Sequence, residues 1–226
     1  MPLPAGMILE PVQGEGGVIP APDAWLRRMR AITADRSIPL IADEVQTGVG
    51  RTGRFWAVEH SGVVPDVMVL SKAIGGSLPL AVVVYRDDLD VWQPGAHAGT
   101  FRGNQLAMAA GTATLAYVRE HRLAERAQTL GARMLDQLRS LATEFPCVGE
   151  VRGRGLMIGV ELVRAEEDRE AVSPGSGDFA SLDTAGAGPR PAAPELAAAV
   201  QRECLRRGLI VELGGRHASV VRLLPR

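Results

Sequence analysis

The sequence predicts an α/β fold, an open parallel sheet covered by helices on both faces. Three apolar segments, residues 6–11, 38–45 and 66–71, each end in polar or glycine-rich sequence. Their hydrophobicity is continuous rather than alternating, which is typical of strands buried on both faces. A helical pattern at 22–35 separates the first two segments, and a further apolar run at 80–85 predicts a fourth strand of the same parallel sheet.

The pattern changes after residue 104, and the second half predicts a smaller α+β domain. In chain order we expect helices at 104–119 and 123–145, strands at 148–153 and 156–163, a helix at 194–207 and strands at 209–213 and 219–224. Residues 164–192 are rich in Gly, Ala, Pro, Ser and acids without periodicity, so we expect a disordered surface insertion there. The predicted domains are therefore 1–118 and 119–226.

Charge and composition exclude several classes of function. The 226 residues carry a net charge of −1, which argues against a protein that binds nucleic acid through a basic face. No apolar run approaches the roughly 18 residues that predict a transmembrane helix. Two cysteines, Cys147 and Cys204, and the lack of a recognisable signal peptide predict a reducing compartment, and we expect the cytoplasm.

One basic residue differs from all the others. Of the 25 Lys and Arg residues, 24 are arginine, and Lys72 is the single lysine. Codon bias in a GC-rich genome explains a drift from lysine to arginine wherever either residue serves. Codon bias does not explain why a lysine is kept at position 72. Because an amine forms imines whereas a guanidinium stays protonated, Lys72 is a candidate for a chemical role.

Polar side chains follow three of the predicted strands, at the edge where parallel sheets bind ligands. Glu10 and Glu15 follow the first strand, Asp43 lies near the end of the second, and Lys72 follows the third. Taken singly, such an aspartate is more often a structural cap and such a glutamate is usually solvated. An amine and a carboxylate in one crevice are what pyridoxal phosphate chemistry requires, because the amine forms an imine and the carboxylate keeps the pyridine nitrogen protonated.

Four segments resemble the class III pyridoxal phosphate-dependent aminotransferases. They are EPVQGEGG at 10–17, ADEVQTG at 42–48, LSKA at 70–73 and GTFRGN at 99–104. Their order and spacing are compatible with that family, and the resemblance covers nearly the whole chain apart from the 164–192 insertion. It implies a fold-type I transferase, with part of the large cofactor-binding domain in the first half and the small C-terminal domain after it.

The resemblance implies a role around the cofactor for each matching position. Lys72 would form the Schiff base and then carry a proton between the substrate carbon and the cofactor, and Asp43 would pair with the pyridinium nitrogen. Val45 would pack on the ring face, and Gln46 would hydrogen-bond the ring 3′-oxygen. Thr100 would reach the cofactor phosphate of the neighbouring subunit, which makes a homodimer part of the active site.

Two further residues are implied to bind substrate. Arg222, in VRLLP, looks like the family's carboxylate-binding arginine, and a planar guanidinium suits a carboxylate. Glu15 matches the glutamate that, in ω-aminotransferases of this family, pairs with that arginine and releases it when a dicarboxylate arrives. The alternative for Arg222 is a surface arginine, one among 24.

Residues 71–80, 92–97 and 214–217 most resemble the diaminobutyrate–2-oxoglutarate members of the family. That resemblance implies transfer of the 4-amino group of L-2,4-diaminobutyrate to 2-oxoglutarate, giving aspartate 4-semialdehyde and glutamate. Ornithine, acetylornithine and 4-aminobutyrate enzymes are the alternatives within the class. A pyridoxal phosphate lyase or racemase is less favoured, because Arg222 and Glu15 together suit two alternating carboxylate substrates.

One part of the family pattern is missing from the sequence. Family members carry an N-terminal portion with a phosphate-binding turn and an aromatic residue that stacks on the cofactor, and these 226 residues hold neither. We therefore expect a fragment without useful transaminase activity of its own, belonging to an active full-length parent. The alternative is a catalytically silent fragment or a gene-model truncation, able at most to associate with other chains.

The remaining motifs are interpreted as structural. GVGRTG at 48–53 has the spacing of a dinucleotide-binding loop, but the acidic residue expected about 20 residues later is absent. Glu44 would point to the opposite side of its strand from Asp43, and Arg152 and Arg154 are expected to shape a turn. The histidines lack metal-ligand spacing, so no metal is expected.

Overall fold

A computed structural model describes residues 3–164 and 190–225, so most of the predicted 164–192 insertion lies outside the described residues. The helices in these ranges are α1 (Asp23–Asp35), α2 (Gln105–Glu120), α3 (Leu123–Glu144) and α4 (Pro194–Arg206). The strands are β1 (Met7–Leu9), β2 (Val12–Gln13), β3 (Ile19–Pro20), β4 (Leu40–Asp43), β5 (Val67–Leu70), β6 (Val82–Tyr85), β7 (Val148–Arg154), β8 (Met157–Leu162), β9 (Glu212–Gly214) and β10 (Val220–Leu223). No helix in the described ranges combines the length and apolar character needed to cross a membrane.

The first sheet has the order β1-β4-β5-β6 and contains the predicted parallel strands. β1 and β5 both run parallel to β4, but β6 runs antiparallel to β5, so the prediction of four parallel strands was wrong for β6. The link between β5 and β6, residues 71–81, holds one 3₁₀ turn and no α-helix. A parallel return needs a crossover of about a dozen residues or more, so this short link reverses the chain direction.

A two-stranded ribbon of β2 and β3, which was not predicted, interrupts the connection from β1 to α1. The N–H groups of Gly17 and Val18 donate to the carbonyl oxygen of Gly14 at 3.1 and 3.2 Å and close the turn between the strands. Val12 and Val18 are fully buried against Met157 of β8. The ribbon therefore anchors the turn that carries Glu15 against the second sheet.

The second sheet is antiparallel, with the order β7-β8-β10-β9, and it matches the predicted α+β half. Its core contains Leu135 of α3, Ala197 of α4, Ile158 of β8 and Val221 of β10. Helices that bury one apolar stripe need such a sheet face, because their stability in water comes mainly from packing. This sheet fixes β10, and with it Arg222, beside the first sheet.

Backbone packs directly on backbone where α3 meets the turn between β7 and β8. A Cβ atom placed on Gly131 of α3 would overlap the carbonyl oxygen of Gly155 in that turn. A Cβ on Gly155, whose φ is 55°, would in turn overlap the backbone of Thr52 and Gly53. Glycine at both positions therefore allows three segments to meet at one point.

Replacing Gly131 with alanine tests this contact, because helix propensity and packing predict opposite signs. Alanine is favoured over glycine inside a helix by about 1 kcal/mol, so propensity alone predicts stabilisation. The overlap with Gly155 instead predicts a loss of about 2 kcal/mol in the free energy of unfolding. Urea denaturation measures the change in the free energy of unfolding. The control is A132G, at the neighbouring exposed position, which is expected to lose about 1 kcal/mol. A more stable G131A protein would contradict the packing.

Candidate functional site

A cleft of about 820 Å³ opens between the two sheets, at the carboxyl ends of β4 and β5. The predicted site residues on its wall are Glu15, Val45, Gln46, Lys72 and Arg222. Asp43 and Thr100 do not line it. A hollow of about 870 Å³ beside β6 has comparable size but contains none of the predicted site residues. Most of the predicted catalytic and binding residues therefore converge on the first cleft.

Lys72 leaves the sheet through an unusual backbone conformation. It follows β5 and begins the 3₁₀ turn Lys72–Gly75 with a φ of 47°, in the left-handed region that residues with a Cβ seldom occupy. The Ser71 hydroxyl donates to the Leu80 carbonyl at 3.0 Å and Ile74 is buried, which holds the turn in place. The Lys72 side chain is exposed to the cleft, and no described residue pairs with its amine. Such strain at a reactive side chain is typical of functional sites.

Asp43 ends β4 next to this turn. Its Cα lies in register with Val69 of β5, one residue before the strand end and three residues before Lys72. Its Oδ1 accepts a hydrogen bond from the Val45 N–H at 3.0 Å, and no donor among the described residues engages Oδ2. The bond bends the chain so that Val45 and Gln46 face the cleft.

Glu44 lies on the other side of the strand and has a structural role that its sequence position alone did not reveal. Its buried carboxylate accepts hydrogen bonds from Thr47 Oγ1 at 2.6 Å, Ala57 N–H at 3.0 Å and Val58 N–H at 2.9 Å. Burial raises the pKa of Glu44, although these hydrogen bonds act in the opposite direction. The three donors fix the segment that follows Asp43. An acid that follows an apolar run could have indicated such a network, because a buried carboxylate needs hydrogen-bond donors.

Arg222 lies between two carboxylates, and with Glu15, Gln46 and Glu212 it forms what we call the arginine cluster. Its Nη1 is 2.7 Å from Glu15 Oε2, and its Nη2 donates a hydrogen bond to Glu212 Oε2 at 2.6 Å. Gln46 Nε2 donates to Glu15 Oε1 at 2.8 Å. The Arg222 guanidinium, followed by the Gln46 amide, lowers the pKa of Glu15. Arg222 is 3% exposed, which excludes the surface-arginine alternative.

The Arg222 guanidinium is only partly satisfied. Among the described residues no group accepts a hydrogen bond from its Nε or its Nη1. The contact of Nη1 with Glu15 has the distance of an ion pair but not the alignment of a hydrogen bond. A buried guanidinium normally uses its donors fully. Arg222 therefore has donors to spare for a carboxylate.

Two glycines make room for the arginine cluster, and sequence reasoning had not singled them out. A Cβ on Gly14 would overlap the amide of Gln46. A Cβ on Gly214 would lie 2.5 Å from Cδ of Arg222. Glu10, the other predicted acid after β1, accepts a hydrogen bond from the Gly14 N–H at 2.8 Å and closes the turn before Glu15. These residues therefore shape the site rather than act in it.

The dinucleotide-like hexamer and the two arginines of β7 hold the halves of the molecule together. Gly53 packs on Gln128 of α3, and the Arg51 Nη1 donates to the carbonyl oxygens of Leu156 and Pro225 at 3.2 and 2.5 Å. Arg152 donates to the carbonyls of Gly17 and Val18, each at 3.1 Å, and Arg154 pairs with Asp23 at 2.9 Å. The expectation that Arg152 and Arg154 shape a turn was therefore wrong, because both reach the N-terminal segments instead.

Comparison with known proteins identifies the family. Residues 4–226 match the family model described as aminotransferase class-III. The chain belongs to the class III aminotransferases. Among curated relatives, a diaminobutyrate–2-oxoglutarate aminotransferase of Rhizobium meliloti is 56% identical over 98% of this chain and 44% of its own length. A protein of the same name from Haemophilus influenzae is 49% identical over 98% of this chain and 45% of its own length.

Solved structures of aminotransferases share the fold of this chain. An ornithine aminotransferase from Toxoplasma gondii superposes with a TM-score of 0.79 at 33% identity, over 98% of this chain and 46% of that one. A transaminase from the marine bacterium Virgibacillus gives a TM-score of 0.81 at 30% identity, over 98% of this chain and 48% of that one. The chain thus spans less than half the length of these relatives, and class III aminotransferases use pyridoxal phosphate.

Proposed function

We propose that the protein containing these residues transfers the terminal amino group of L-2,4-diaminobutyrate to 2-oxoglutarate with pyridoxal phosphate. The observation that carries the proposal is that Lys72 and the arginine cluster share one cleft. A reactive amine and a spare carboxylate-binding guanidinium are the two functions that such a transfer needs at one site. The names of the curated relatives with 56% and 49% identity supply the substrates.

The residues at the ends of β4 and β5 suit the proposed cofactor. On the cleft wall Lys72 offers an unpaired amine, Val45 an apolar face and Gln46 an amide. Asp43, at the end of β4 behind that wall, offers an oxygen that no described donor engages. We propose that these four residues hold pyridoxal phosphate. When bound, it supplies an electron sink for the electron pair left on a substrate carbon that loses a proton. The amine of Lys72 would take that proton from the substrate carbon and deliver it to the cofactor.

Glu15 and Arg222 would let the site alternate between two substrates. With Glu15 on Nη1 that side of the guanidinium is occupied, which suits a donor that has no carboxylate next to its reacting carbon. The contact lacks hydrogen-bond geometry and the Glu15 side chain is 73% exposed, so a substrate carboxylate can displace it at small cost. Two parallel N–H···O bonds to the 2-oxoglutarate carboxylate would then replace one misaligned ion pair.

Thr100 is proposed to act in a second subunit. It is exposed, lies outside the cleft of its own chain, and precedes Phe101, which is 86% exposed. An exposed large aromatic next to it favours burial against another chain. In a homodimer, Thr100 would reach the cofactor phosphate of the neighbouring subunit and Phe101 would be buried against that subunit.

The donor is tested on the protein expressed from the longest reading frame that contains these residues, here called the parent protein. Glutamate formation from 2-oxoglutarate is measured with L-2,4-diaminobutyrate, ornithine, acetylornithine and 4-aminobutyrate. We expect kcat/KM for diaminobutyrate to exceed the others by at least about tenfold, since one methylene in a shaped pocket is worth roughly that factor. A higher value for ornithine or 4-aminobutyrate would overturn the substrate assignment, and no glutamate with any donor would overturn the activity.

A further inference from the structure

Glu212 gives Arg222 a second carboxylate that the alternation between Glu15 and substrate does not require. The two residues are Cα partners in the antiparallel pairing of β9 and β10, so the sheet itself sets them side by side. Glu212 Oε2 accepts a hydrogen bond from Arg222 Nη2 at 2.6 Å. The Glu212 side chain is 64% exposed and lines the cleft.

The charges of the arginine cluster do not balance. Two carboxylates, those of Glu15 and Glu212, face the single guanidinium of Arg222, which leaves one excess negative charge within the cluster. Lys72 and Arg51 also line the cleft, but Lys72 is assigned to the cofactor and Arg51 donates to the carbonyl oxygens of Leu156 and Pro225. Each carboxylate has about four lone-pair sites, and Glu212 uses one of them on Arg222 among the described residues. The remaining acceptor sites of Glu212 are open toward the cleft, where a cation would satisfy both the charge and the hydrogen bonds.

We propose that Glu212 is a specificity-determining residue that binds the non-reacting ammonium group of a diamino acid donor. The inference rests on the proposed function and refines it. A diamino acid keeps one ammonium after its other amine has entered the reaction, whereas an ω-amino acid such as 4-aminobutyrate has none to spare. Glu212 would therefore favour diamino acids over monoamine acids of the same length.

The two glutamates differ in a way that assigns this role to Glu212 rather than to Glu15. Glu212 is held beside Arg222 by the pairing of β9 and β10, whereas Glu15 lies in a turn and its side chain is 73% exposed, so Glu15 is the partner that exchanges. Glu15 also spends Oε1 on the Gln46 amide. Glu212 stays in the ladder of β9 and β10 throughout and keeps its acceptors available.

The test compares E212Q with the unmodified parent holoenzyme, using E144Q as the control because Glu144 is an exposed residue at the end of α3. The donor half-reaction is followed by the change in cofactor absorbance, with L-2,4-diaminobutyrate and with 4-aminobutyrate. We expect E212Q to lower the ratio of the two kcat/KM values about tenfold, mainly through KM for diaminobutyrate, as for a partly exposed charge-assisted hydrogen bond. E144Q should not change the ratio.

Three results would overturn the role of Glu212. One is an unchanged ratio in E212Q, and another is an equal loss for both donors, which indicates that Glu212 only supports Arg222. The third is a larger loss in the 2-oxoglutarate half-reaction than in the diaminobutyrate half-reaction. The unmodified protein separates this inference from the proposed function. The proposed function fails if that protein does not use diaminobutyrate or prefers ornithine or 4-aminobutyrate, whereas the role of Glu212 is decided by the change that E212Q causes.

Discussion

Replacing Lys72 with arginine is expected to abolish transamination in the parent protein, lowering kcat by at least about 10⁴-fold. Arginine keeps the positive charge and a similar length, but its guanidinium neither forms an imine nor gives up a proton at neutral pH. The Lys72 side chain is exposed to the cleft and has no described partner, so the substitution removes no hydrogen bond of the fold. Turnover with 2-oxoglutarate and the thermal midpoint are measured together, and the midpoint should change little.

K72A extends this test, because it also removes the charge and leaves space at the amine position. A small primary amine added to the buffer should restore part of the activity of K72A but none of that of K72R, whose side chain occupies the space. Surface arginines give a matched control, and R139K should keep full activity because Arg139 is exposed on α3. K72R with more than about 1% of the unmodified turnover would exclude the proposed role of Lys72.

Replacing Arg222 with glutamine is expected to lower kcat/KM for 2-oxoglutarate by about 10²- to 10³-fold, which corresponds to the loss of a paired, charge-assisted hydrogen bond. The change leaves the carboxylates of Glu15 and Glu212 facing the cleft without a counter-charge, so a dianionic substrate is also repelled. R222K keeps the charge but loses the planar fork, and we expect a smaller loss of about tenfold.

Half-reactions separate this effect from general damage, since Arg222 is buried and its loss also affects stability. The 2-oxoglutarate half-reaction should suffer far more than the donor half-reaction in R222Q. E15Q gives the complementary result, because 2-oxoglutarate no longer displaces a charged partner and its KM should fall. An equal loss in both half-reactions of R222Q, with normal folding, would contradict substrate binding by Arg222.

The sequence predicted most of the fold, and the failures have specific physical causes. The parallel strands β1, β4 and β5 each form a continuous apolar run, which is a strong local signal. β6 has the same signal, but its direction depends on the length of the link after Lys72, which hydrophobicity does not encode. The ribbon of β2 and β3 has two residues per strand, too few for any periodicity. The domain boundary near residue 118 stays a prediction.

The site residues, too, include some that the sequence predicted and some that it did not. Residues in contiguous motifs, such as Lys72, Val45 and Gln46, were predicted and do line one cleft. Glu212 was missed because its partnership with Arg222 follows from strand register, which a single sequence does not fix. Gly14 and Gly214 were missed because the space they leave is defined by side chains distant in the chain.

The central claim is that Lys72 is the residue that binds the cofactor, and one labelling experiment tests it most directly. The parent protein is incubated with pyridoxal phosphate, reduced with borohydride, digested and mapped by mass spectrometry. Because Lys72 is the single lysine of these 226 residues, a pyridoxyl-lysine found within them identifies its own position. We expect one such adduct per chain, on the peptide containing Lys72. An adduct elsewhere in the parent protein, with the Lys72 peptide unmodified, would contradict it.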